Sequence, residues 1–114
     1  MSVQKTYAMI VGLVLVILGI WGYFQHPILG YFGVNTAQDI LHIVGGILIL
    51  WIGMKSPKGV NLWLGWIALV IGILGFIPGA VDLLVSWFAI NTTISWLHIA
   101  VGVVSLLVGY AVKE

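Results

Sequence analysis

The chain alternates long apolar runs with short polar breaks, and the four longest runs cover residues 7–24, 38–54, 62–77 and 93–112. A run of about twenty apolar residues crosses a hydrocarbon core of roughly 30 Å as a helix, because only a helix satisfies its own backbone in lipid. The pattern therefore predicts four transmembrane helices. The break at 54–61, MKSPKGVN, holds Pro57 and Gly59 with two lysines and predicts a tight polar turn. The other two connections, QHPILGYFGVN and PGAVDLLVSWFAIN, are apolar and aromatic but too short to span. Such segments are expected to lie flat at the membrane surface, where Tyr and Trp settle. Trp21, Trp63, Trp66, Trp87 and Trp96 fall near the predicted interfaces and read as belt residues.

Composition strengthens this reading. Of 114 residues, 62% are hydrophobic and 6% charged, about a quarter of the charged share of a soluble domain. A soluble fold this small could not cover so much apolar surface, which excludes a soluble enzyme. The net charge of +1 sets Lys5, Lys55, Lys58 and Lys113 against Asp39, Asp82 and Glu114, with no arginine, so there is no basic surface for nucleic acid. The absence of cysteine removes disulfides and thiolate chemistry. The lysines fall at the two termini and in the middle turn, which the positive-inside tendency places in the cytoplasm. Both termini of a multi-pass plasma-membrane protein are thus expected inside. No small-residue cleavage site follows the first run, so it is expected to stay in the mature chain, and residues 1–114 read as a single transmembrane domain.

The chain also repeats itself. Displaced by 56 residues, 7–58 align with 63–114 without a gap, and 14 of the 52 pairs are identical. Leu and Val coincide easily between apolar helices, but Asn35 with Asn91, Thr36 with Thr92 and His42 with His98 are rare letters that coincide too. Two spans per copy give both copies one orientation, related by a pseudo-two-fold axis along the membrane normal. Small residues recur seven apart at Gly12 and Gly19, Gly46 and Gly53, Ala68 and Gly75, and Gly102 and Gly109. In lipid, helices associate through close approach at small residues, and this spacing favours shallow left-handed crossings. The expected fold is all-α: four transmembrane helices in an up-down-up-down bundle built from two parallel two-helix repeats.

Candidate chemistry centres on His42 and His98, each four residues before a small-face glycine, Gly46 or Gly102. Ionisable groups inside a membrane are costly and mark function by default. The first reading is a buried hydrogen-bond network of both histidines with their neighbours Asn35, Thr36, Asn91 and Thr92 that sets register between the repeats. A second makes His42 and His98 the axial ligands of one b-type haem, with Gly46 and Gly102 making room for the macrocycle. A third is a metal or proton site, for which two histidines form an incomplete zinc shell. Thr36 with Asp39 resembles a capping box, Asn91 and Thr92 offer cap oxygens, and Asp39 reads as a cap at a helix start. His26 and Asp82 occupy equivalent, solvated loop positions, and Ser105 is expected to bond back to its own helix. No nucleophile with its base, phosphate loop or carboxylate pair is present, so no catalytic activity is expected. No line of polar residues crosses the predicted interior, which disfavours a channel or transporter.

The segment LGFIPG after the third run, with the paired GVNTAQDILHIVGG and AINTTISWLHIAVG, resembles a family of small prokaryotic four-helix membrane proteins catalogued only as a domain of unknown function. Asn35, His42, Gly46 and Asn91, His98, Gly102 match its helix-start pattern. Where relatives carry a His-Asn pair there, this chain has Gln38, Asp39 and Ile94, Ser95. The resemblance implies a prokaryotic plasma membrane and four spans, and lends no reaction. The lipid bilayer is the expected partner, with self-association or other membrane proteins as the expected assembly.

Overall fold

The computed structural model describes residues 2–112. They form five helices and no strand: α1 (Val3–Phe24), α2 (Thr36–Gly53), α3 (Pro57–Leu74), α4 (Ala80–Phe88) and α5 (Thr92–Ala111). Among them α1, α2, α3 and α5 are long and apolar enough to cross a membrane. Lys113 and Glu114, which entered the charge argument, lie outside the described residues.

The helix starts follow from local chemistry. Ser2 caps α1 by accepting from the Lys5 N–H, and Asn35 and Asn91 cap α2 and α5 by accepting from Gln38 N–H and Ile94 N–H. The cap of α2 is therefore Asn35, where Thr36 and Asp39 suggested a box; Thr36 is already the first helical residue. At α3, Pro57 sits at the first helical position, where a missing N–H costs nothing and the fixed φ suits a helix. The helix thus starts five residues earlier than the apolar run, and the polar turn shrinks to 54–56, with Lys58 and Gly59 inside the first turn of α3.

The two longer connections differ from each other. Residues 25–35 hold an isolated bridge between Ile28 and Phe32, with Leu29 and Gly30 at positive φ. The second contains α4, entered through Pro78, which cannot continue α3, and Gly79 at φ +87°, which only glycine adopts without strain. That requirement accounts for the IPG turn.

The heaviest packing joins α1 to α2 and α3 to α5. A Cβ on Gly12 would meet Leu50 and the Gly46 carbonyl, one on Gly19 would meet Ile43 and the Asp39 carbonyl, and one on Gly22 the Asp39 carboxylate. The contacts descend α2 as they climb α1, so the pair is antiparallel. On α3 a Cβ on Gly65 would meet Leu106, on Gly72 Ile99 and the Ser95 carbonyl, and on Gly75 the Ser95 hydroxyl. Each pair is thus sealed along a line of glycines, as close helix approach in lipid requires.

These contacts correct the alignment of the first helices. Leu50, Ile43 and Asp39 correspond to Leu106, Ile99 and Ser95 at 56 residues, but Gly12, Gly19 and Gly22 play the parts of Gly65, Gly72 and Gly75, each 53 residues apart. The ungapped match rested partly on Leu13, Val14, Ile17, Val70 and Ile73, all of which are exposed on the outer surface of the bundle and set no register. The face of α3 that meets α5 accordingly carries Gly65, Gly72 and Gly75, with Ala68 buried on the same stripe between Gly65 and Gly72.

Candidate functional site

Buried polar side chains gather at both ends of the bundle. One end carries the start of α1, the turn at 54–56 and the last turn of α5; the other carries the two long connections. At the turn end, Gln4 and Asn61 are 0% exposed. The Gln4 amide donates to the carbonyls of Val108 at 2.7 Å and Val112 at 2.8 Å, and Asn61 Nδ2 donates to Gln4 O and Gln4 Oε1 at 3.0 and 2.9 Å. One turn further in, the hydroxyls of Tyr7 and Ser105 lie 2.6 Å apart. Ser105 therefore bonds across to α1, where a bond to its own helix was expected. This cluster ties α1, α3 and α5 together.

Nothing in the apolar pattern announced Gln4 and Asn61, because both stood just outside the predicted spans. The signal that could have found them is the placement of uncharged amides beside an apolar run, in helices that Ser2 and Pro57 start earlier.

At the connection end Asn35 and Asn91 cap the starts of α2 and α5. Asn35 Nδ2 donates to the Trp87 carbonyl at 3.0 Å, and Asn91 Nδ2 to the Tyr31 carbonyl at 2.8 Å. Each asparagine thus holds the connection belonging to the other, and both the donors and the acceptors are 56 residues apart. Asn91 Oδ1 also accepts from Gly33 N–H, and Gln38 Nε2 donates to the carbonyls of Gly33 and Phe88. The asparagines therefore lace the connections together; they do not bond to the histidines.

One turn into α2, Asp39 is 1% exposed and takes a 2.7 Å hydrogen bond from His26 Nε2, whose ring is 37% exposed. The expectation of a solvated His26 and a capping Asp39 is replaced by a buried carboxylate covered by an imidazole from the first connection. Asp82 is exposed as expected, but in the first turn of α4 rather than in a loop. His42 follows Asp39 by three residues on the same helix face, and its ring centre lies 6.3 Å from that of His98 with the planes at 64°. The structure brings the two predicted histidines together from α2 and α5. Both Nδ1 atoms are buried without a hydrogen-bond partner among the described residues, as are Asp39 Oδ1, Gln38 Oε1 and Ser95 Oγ.

Gly46 and Gly102 do not flank an open slot. A Cβ on Gly46 would meet the Gly12 carbonyl and Val16, and one on Gly102 the backbone of Leu69, so neighbouring helices fill the space a macrocycle would need. The nearby cavity, about 240 Å³, lies instead beside His42 under the first connection and is lined by apolar side chains, including Leu18, Trp21, Phe32 and Ile94.

Four helices long and apolar enough to cross a membrane, sealed by glycines and with polar clusters at their ends, point to a small all-α membrane protein. The chain belongs to the family described as Domain of unknown function (DUF4383), whose model matches residues 5–111. The match takes in both histidines and their glycines and stops one residue short of Gln4. No curated protein and no solved structure matches the chain.

Proposed function

We propose that this protein is a non-catalytic structural or accessory module of a prokaryotic plasma membrane, built as two parallel two-helix repeats with both termini in the cytoplasm. The observation that carries the reading is the reciprocal lacing of the connections, Asn35 to Trp87 and Asn91 to Tyr31, which two related halves facing one another would make. The antiparallel pairs α1 with α2 and α3 with α5 supply the up-down-up-down course. A middle sealed by Gly12, Gly46 and Gly102 between the polar clusters supports a scaffold over a pore. In that arrangement the turn end with Lys5, Lys55 and Lys58 faces the cytoplasm, and the connection end faces outward.

The haem alternative keeps the facing histidines but loses the room that Gly46 and Gly102 were to provide. The test is an absorbance spectrum, oxidised and reduced, of protein purified in mild detergent from cells supplied with haem precursor. The visible region is expected to be flat. A Soret band that disappears in both His42→Ala and His98→Ala overturns the structural reading in favour of an electron carrier.

A further inference from the structure

We propose that His42 and His98 form a two-coordinate site for a soft monovalent ion with a filled d shell, Cu(I) or Ag(I). Such an ion accepts two nitrogen ligands on opposite sides and makes no demand on the twist between the rings. With metal–nitrogen bonds of about 2 Å and about 1.2 Å from each nitrogen to its ring centre, the centres of two such imidazoles stand at most about 6.4 Å apart. The separation in the structure is 6.3 Å, with the rings at 64°.

Two observations favour an ion between these rings. First, each histidine keeps a buried Nδ1 with no hydrogen-bond partner among the described residues, and a buried polar atom ordinarily finds one. Second, Asp39 lies one turn before His42 on the same face and keeps Oδ1 buried and unpartnered beside Gly22 of α1, a carboxylate within one helical turn of the pair. The described residues hold no group of three or more His, Cys, Asp or Glu side chains able to hold a metal ion. Divalent ions that need three or four protein ligands therefore lack donors here, whereas an ion content with two does not.

The surroundings define how such an ion is held. His26, 37% exposed and bonded to Asp39, stands between the histidine pair and the connection end. Further along the helices, Gly46 and Gly102 are packed against α1 and α3. The site is thus approached from one end and closed at the other, a place that retains the ion rather than a path for it.

The experiment titrates the full chain in detergent with Ag(I) in chloride-free buffer, and separately with Cu(I) under anaerobic reducing conditions against a competing chelator. Saturation at one ion per chain is expected, with a copper-edge absorption spectrum of two nitrogen ligands. His42→Gln and His98→Gln should each weaken binding at least tenfold, and Asp39→Asn should weaken it less while leaving the stoichiometry at one. Failure to saturate, three or four ligands, or undiminished binding in the histidine variants overturns the site. Should those variants not fold, ¹⁵N spectra of the unaltered protein decide. Splitting of both His42 and His98 nitrogens by the silver nucleus supports the site; splitting confined to one ring or to His26 overturns it. A colourless protein that binds no ion leaves the structural reading standing, and only a Soret band removes it.

Discussion

A single amide, that of Asn61, joins α3 to α1 at the turn end. Asn61 donates twice to Gln4, and Gln4 in turn donates to α5, so removing Asn61 leaves two buried Gln4 oxygens without that donor. Asn61→Ala is expected to lower stability by about 1–2 kcal/mol, since interhelical hydrogen bonds in membranes are weaker than the cost of orphaned groups alone suggests. Unfolding in a mixed-detergent titration measures it; an unchanged midpoint would show that the amides are replaceable by water. At this scale the sequence was only partly legible. His42, His98, Asn35 and Asn91 stood out because polar letters are scarce in an apolar chain, and the structure places all four at one end. Gln4, Asn61 and the His26–Asp39 pair did not, since their partners come from elements distant in sequence, and no periodicity encodes which connection folds over which helix.

Helix by helix, the starts carry the information. Asn35 and Asn91 each do two jobs, capping their own helix and holding the opposite connection. Asn35→Ala and Asn91→Ala should each cost about 1 kcal/mol from the cap alone. Because both also belong to one laced surface, the double variant is expected to deviate from additivity by at least about 0.5 kcal/mol in a thermal-unfolding cycle. Strict additivity would mean that the connections are held independently. The existence and number of the long helices could be read from apolar runs, because the bilayer imposes a minimum length. Their starts were misplaced by two to five residues at α2 and α3, because apolar content does not see Ser56 and Pro57, whose backbone preferences begin α3 inside a polar stretch. The short α4 lay within a segment expected only to rest on the membrane surface; its amphipathic nine residues are too few for periodicity to separate from a loop.

For the whole molecule, orientation is the property most directly open to measurement. The chain has no cysteine, so single replacements report cleanly. Ser2→Cys and Ser56→Cys should be labelled by an impermeant maleimide only after the cells are opened, and Ser86→Cys in intact spheroplasts. Labelling of Ser56→Cys from outside would invert the arrangement. The proposed duplication rests on the rare polar letters shared by α2 and α5, whereas abundant Leu and Val on outward faces put α1 and α3 three residues out of step with the glycine contacts. Glycines decide that register because they alone lie where backbones touch. The packing of α1 on α2 and of α3 on α5 also bears on how the chain assembles after synthesis. Each hairpin can insert and close along its own glycine seam before meeting the other, so the link at 54–56 acts chiefly as a tether that raises the local concentration of one hairpin near its mate. Severing that tether should convert a fused protein into a two-chain complex, its halves recognising each other through the crossed asparagines and the amide cluster.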